Sequence, residues 1–295
     1  MLIIAALVLI LTLFPVDILP VKKLRSWASP LLKPELQPQA SLSIVSDITE
    51  ETYPIPKAIN FRVFPLPVKK IIIDPGHGGV DSGAVDSHGI AEKEITLDIA
   101  IRLRKLLEKY NFQIVMTRET DSTVPINQRV ALANTEKADL FISIHANWFK
   151  TPVTRGVETY YLGPTDDPHS IELAELENKR SGYTLGHFRQ LLEHVYVDVR
   201  RGESRQLATF IQKQLSISLR KLNPNLINRG VKMAPFLVLV ATRMPAVLAE
   251  VSFLSNQDEA RLLSNPRYRQ GIARALSKGI RTYDQTLRLT TQKGT

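Results

Sequence analysis

Four side chains have the types and the placement to carry hydrolytic metal chemistry. His77 lies in Ile71-Ile72-Ile73-Asp74-Pro75-Gly76-His77-Gly78-Gly79, where an apolar run ends in a glycine-rich turn. His145 ends a second such run, Ile142-Ser143-Ile144-His145-Ala146-Asn147, and Glu92 lies between the two in Ala91-Glu92-Lys93-Glu94. A second acid, Glu250, closes Ala246-Val247-Leu248-Ala249-Glu250. Zinc accepts imidazole nitrogen and carboxylate oxygen, and its catalytic sites keep three protein ligands with one position open to water. His77, Glu92 and His145 would supply that set for one Zn2+ ion. Glu250 would take a proton from water and pass it to a leaving nitrogen. Bland readings compete with each assignment. A histidine after a strand commonly caps or hydrogen-bonds, an acid opening a helix is favoured by the macrodipole, and an acid at a strand end is commonly solvated.

Neighbouring residues could support such a site. Asp74 and Asn147 are close enough in sequence to bond a ring N–H and fix its tautomer, and Asn147 could equally touch substrate. Gly76, Gly78 and Gly79 permit a tight turn, but the run is not a Walker or dinucleotide fingerprint. His88 reads as solvated, and His169, His187 and His194 as surface or partner contacts. The chain has no cysteine, which excludes disulfides, thiolate zinc ligands and a cysteine nucleophile.

The elements that must hold these residues alternate from Lys69 onward. Strands are expected at Lys69 to Asp74, Gln113 to Thr117, Asp139 to His145, Gly156 to Leu162, Phe236 to Val240 and Ala246 to Val251. Helices are expected at Glu92 to Tyr110, Pro125 to Glu136, Arg205 to Leu222 and Arg267 to Tyr283, the first with Ile95, Ile99, Leu103, Leu106 and Leu107 on one face. Alternation of this kind implies an α/β domain, a sheet with helices on both faces. His77 and His145 fall at the C-terminal ends of strands, the edge where open α/β sheets bind ligands. Residues 165–203 break the rhythm with a charged, helix-prone stretch far longer than a connection needs, which points to a lid or interaction element.

The ends read differently. Residues 2–16 are almost wholly apolar, shorter than the about 20 residues of a spanning helix and close to a signal-peptide core. Residues 1–20 are therefore expected to be an export signal or membrane anchor, 21–68 a proline-rich linker, 69–285 the catalytic domain and 286–295 a tail. Residues 1–68 hold six Lys/Arg and five acids, so +8 of the net +9 follows them. A basic domain suits an anionic polymer, but no arginine-rich run or aromatic-interleaved basic stripe supports nucleic acid. Membrane contact is expected only through the N-terminal segment.

Six blocks occur in order: Ile73 to Gly79, Glu92-Lys93, Thr117-Arg118, Ser143 to Asn147, Gly156-Val157-Glu158-Thr159-Tyr160-Tyr161-Leu162, and Met244-Pro245-Ala246 through Phe253-Leu254-Ser255-Asn256. Together they resemble the zinc-dependent N-acetylmuramoyl-L-alanine amidases of the cell-separation type, over roughly Lys69 to Tyr283. The resemblance implies a twisted, mostly parallel sheet of about six strands flanked by helices. It implies His77, Glu92 and His145 as metal ligands and Glu250 as the catalytic glutamate. The implied reaction is hydrolysis of the amide between N-acetylmuramic acid and L-alanine in peptidoglycan, outside the cytoplasm. Some relatives carry an inserted helix that covers the site until an activator protein withdraws it. The segment 165–203 is similar in position, with Glu172, Glu175 or Glu177 as the acid that would reach the metal. Val240 departs from an arginine common in the family, and Ser252 from a glycine. The competing readings are a non-catalytic wall-binding relative, which would usually have lost one of the four site residues, and a zinc hydrolase of another amide.

Overall fold

The computed structural model describes residues 67–179, 197–240 and 242–292. The apolar segment 1–20, the linker apart from residues 67 and 68, residues 180–196 with His187 and His194, and residues 293–295 lie outside it. Among the described residues, no helix is long and apolar enough to cross a membrane.

Six strands form one sheet in the order β2-β1-β3-β6-β4-β5. They are β1 (Lys70–Pro75), β2 (Gln113–Met116), β3 (Leu140–Asn147), β4 (Val157–Leu162), β5 (Asn228–Ala234) and β6 (Ala246–Phe253). All neighbours run parallel except β4 and β6, which are antiparallel. The helices are α1 (Glu92–Glu108), α2 (Ile126–Thr135), α3 (Pro168–Asn178), α4 (Val197–Leu219), α5 (Leu237–Val240), α6 (Gln257–Ser264) and α7 (Pro266–Gln292).

Strand periodicity divides the core into two layers. Ile71, Ile73, Ile142, Ile144, Val247 and Ala249 face α1, α4 and α7. Ile72, Phe141, Tyr160 and Leu248 face the other way, against α2, α3 and α5. Both faces are covered, so β1, β3 and β6 are buried almost throughout. The expected apolar stripe of α1 is its buried face: Ile95, Ile99, Leu103 and Leu107 are at most 2% exposed.

Four expectations are corrected. Phe236 to Val240 is not a strand; Leu237–Val240 forms a single helical turn, because a short apolar run fits either conformation when both its sides are buried. The sixth strand is β5, a partly exposed edge strand that its polar residues conceal. Helix α4 begins eight residues before Arg205, within the stretch assigned to the insert. Helix α7 runs on to Gln292 with Leu287 buried, so most of the expected tail is helical.

Candidate active site

The two-residue repeat that builds the second core layer also delivers the polar groups. Continuing it toward the C-terminal edge gives Asp74 after Ile72, His145 after Phe141 and Ser143, and Glu250 after Leu248. Register then aligns them: Asp74 pairs with Ser143 and His145 with Glu250. Strand β4 runs the opposite way, so its first residues reach the same edge, and Glu158 pairs with Glu250.

His77 lies just past β1 with φ +60, a left-handed conformation that non-glycine residues rarely adopt. Its Nδ1 is 3.0 Å from Asp81 Oδ2, which turns Nε2 toward the interior. Two glycines admit the cluster. A Cβ on Gly76 would lie 2.5 Å from the His145 ring, and one on Gly83 (φ +64) would lie 2.5 Å from the His77 ring and 2.6 Å from Glu92 Oε2. Glu92, the first residue of α1, spans both imidazoles: Oε2 is 3.1 Å from His77 Nε2 and Oε1 is 3.1 Å from His145 Nδ1. The backbone N–H groups of Ala84 and Ala146 donate to those oxygens and fix the carboxylate.

Glu177 on α3 completes the group. Its Oε2 is 3.5 Å from both His77 Nε2 and His145 Nδ1. Ligand atoms of His77, His145 and Glu177 all lie within 4.8 Å of one another, a spacing that could hold a metal ion. This trio differs from the trio with Glu92, which lies closer to each ring. Glu92 meets the two nitrogens with separate oxygens, whereas Glu177 meets both with one.

The group favours positive charge. Burial opposes protonation of His77, yet the Glu92 and Glu177 carboxylates, with the Asp81 bond, raise its pKa to about 11. Burial likewise opposes ionisation of Glu92, but the charge of His77 and the bond from the His145 ring hold it well below the usual carboxylate range. His77 Nε2 has no hydrogen-bond partner of suitable direction despite its closeness to Glu92. An orphaned imidazole nitrogen beside two carboxylates fits a divalent cation as donor set and as charge. Glu250 is fully buried beside this group, and neither of its oxygens is hydrogen-bonded. Burial, reinforced by Glu92, Glu177 and Glu158, pushes its pKa well above 4.5.

The family profile described as N-acetylmuramoyl-L-alanine amidase matches residues 71–282. The chain belongs to that family. The Escherichia coli N-acetylmuramoyl-L-alanine amidase AmiA is 33% identical over 223 residues, covering 72% of this chain and 75% of the relative. AmiC of Neisseria meningitidis is 34% identical over 251 residues, covering 82% of this chain and 58% of its own length. The solved catalytic domain of the amidase CwlV from Bacillus (Paenibacillus) polymyxa superposes with TM-score 0.57 at 28% identity, covering 74% of this chain and 99% of that domain. The CwlD amidase of Clostridioides difficile, solved in complex with the GerS lipoprotein, gives TM-score 0.56 at 27% identity, covering 74% and 99%.

Other residues of the amidase lie where sequence reasoning did not put them. Asp74 bonds neither ring; its carboxylate accepts from Thr117, Ser143 and Arg129, 2.6 to 2.8 Å away. Arg129 carries on to the Pro75 and His77 carbonyls, and Arg118 to those of Pro75 and Gly76, so two guanidiniums stitch the His77 turn in place. Asn147 donates to Glu158 rather than to a histidine. Of the three candidate insert acids, Glu172 pairs with Lys150 at the surface and Glu175 is exposed, so only Glu177 reaches the histidines. His169 is not a surface residue: it packs edge-on against Phe149 and lies 3.2 Å from Glu158. Asp81 and Arg129 were missed. The spacing of Asp81, four residues beyond His77 in a glycine loop, is the one signal that could have found it.

Proposed function

We propose that this chain hydrolyses the amide between N-acetylmuramic acid and L-alanine in peptidoglycan, with His77, Glu92 and His145 holding one zinc ion. The observation that carries the reading is the convergence of two imidazole nitrogens and Glu92 beside a buried, unpaired Glu250. When bound, zinc would supply Lewis acidity at the amide carbonyl and make an adjacent water more acidic. The chain's own groups do the rest. Asp81 orients the His77 ring, and the Ala84 and Ala146 N–H groups fix Glu92. Glu250, with its raised pKa and no competing hydrogen bond, takes the proton of the attacking water. It returns that proton to the amide nitrogen, which leaves as the amino terminus of L-alanine.

Helix α3 is read as a restraint. Glu177 lines both of the cavities, about 360 and 310 Å³, that open beside the histidines, so it stands where substrate would cross. The helix is tied at both ends: His169 meets Glu158, and Asn178 bonds Pro235 O and Leu237 N. Leu173 and Ala174 are buried between. An activator protein binding the 165–203 segment would withdraw it. Residues 1–20 would export or anchor the enzyme in the envelope, and the cleavage would serve wall remodelling or daughter-cell separation.

The test is digestion of purified sacculi with and without chelator, with mass analysis of the products. Stem peptides bearing free L-alanine amino ends, lost on chelation and restored by zinc, support the reading. Cleavage within the peptide or glycan, or no metal dependence, rejects it.

A further inference from the structure

The trough beside the histidines extends beyond them. The 310 Å³ cavity lined by His77, Glu92 and Glu177 shares Val85 and Trp148 with a second groove of about 670 Å³. Trp148 follows directly on Asn147 at the end of β3, yet it is 42% exposed. Val85, Val153 and Ile227 line the same groove and are also exposed. Single exposed apolar side chains are ordinary, but four along one groove that runs into a reactive centre mark a binding surface.

The substrate assigned above leaves its scissile amide in two directions. One is a stem peptide carrying carboxylates; the other is a glycan strand of uncharged pyranose rings bearing N-acetyl groups and hydroxyls. The charged residues lining the groove are Asp86, Arg155 and Asp258, a net of −1 in a chain of net +9. That field disfavours an acidic peptide and is indifferent to a neutral sugar. A tryptophan face offers a flat apolar platform to the C–H face of a pyranose, with little side-chain entropy to lose. Ser87 and Gln257, both exposed, supply polar groups to the same lining for hydroxyls and acetamides.

Resting on the amidase reading, we propose that this groove is the glycan subsite and that a sugar ring flanking the cleaved muramoyl residue stacks on Trp148. Trp148 is then a specificity residue: it selects a muramoyl group embedded in a strand over an isolated one. The stem peptide leaves by the other cavity, on the Arg129 and Phe236 side of His77.

The test compares Trp148→Ala and Trp148→Phe with the unsubstituted residue, all carrying Glu177→Ala so that closure of α3 does not mask differences. Two substrates are used: uncrosslinked glycan strands bearing stem peptides, and an N-acetylmuramoyl-peptide with no flanking sugar. Trp148→Ala should lower kcat/KM on strands about tenfold through KM, in keeping with one lost stacking contact. It should lower kcat/KM on the single-sugar substrate far less, and Trp148→Phe should recover most of the loss on strands. An equal fall on both substrates, or no fall on strands, overturns the subsite. If the unsubstituted protein cleaves neither substrate, the amidase reading itself fails and the subsite with it, a result distinct from the other two.

Discussion

Replacing Glu250 by glutamine tests the buried carboxylate in the absence of substrate. The substitution keeps the side-chain volume and removes the titrating oxygen. Burial comes first among the causes that raise the Glu250 pKa above 4.5, followed by the Glu92, Glu177 and Glu158 carboxylates. In ion-free protein the folded chain therefore keeps a proton on Glu250 at pH values where the unfolded chain has released it. The linked stability is fully present below about pH 4.5 and is lost as pH rises toward the folded-state value. One proton corresponds to about 1.4 kcal/mol per pH unit. A domain of this size moves its Tm by roughly 2–4 °C per kcal/mol. Melting curves in chelator should thus show the unsubstituted protein losing up to roughly 3–6 °C per pH unit relative to Glu250→Gln as pH rises from about 5 toward the folded-state value. Curves that stay parallel would mean Glu250 holds no proton in the folded state, and the argument from burial would be wrong.

His145→Ala should lose bound zinc and hydrolysis together while the fold persists; full zinc occupancy by elemental analysis would remove His145 from the ligand set. Glu177→Ala should raise basal hydrolysis of sacculi roughly tenfold, the response to removing about 1.4 kcal/mol of closure; unchanged or lower activity would contradict the restraint assigned to α3. Gly76→Ala drives a methyl into the His145 ring, so zinc affinity should drop about 10- to 100-fold, as when the support of a ligand is disturbed; competition with a chromogenic chelator measures it, and unaltered affinity would refute the close-approach argument. Leu103→Ala opens a void under α1 and should cost about 2–5 kcal/mol in urea unfolding; a cost below 1 kcal/mol would mean that face is not packed as described.

What the sequence disclosed follows from how strongly each feature is patterned. β1, β3 and β6 are covered on both faces, so each is an apolar run that a polar residue ends abruptly, and His145 and Glu250 were visible at those ends. Glu92 was visible because α1 has a clean helical stripe that fixes where it begins. Strand β5 escaped because it lies at the sheet edge, where only the alternation of Val231 and Met233 betrays it. Helix α6 escaped although Asn256 and Glu259 carry a capping signature, and the Asn256 side chain does accept from the Glu259 N–H. The Glu158 cluster with Lys232, Arg229, Asn147 and His169 was illegible because it is assembled from four separate segments across an antiparallel pairing. Arg129 was hidden for a similar reason: only the folded position of α2 aims it at Asp74 and the His77 turn.

The central claim is that His77, Glu92 and His145 together hold one divalent cation for amide hydrolysis. Diffraction at the zinc absorption edge from crystals of the zinc-loaded protein tests it directly. A single anomalous peak is expected about 2.0–2.2 Å from His77 Nε2, His145 Nδ1 and a Glu92 oxygen. A peak elsewhere, or none among those three side chains in fully loaded protein, would contradict it.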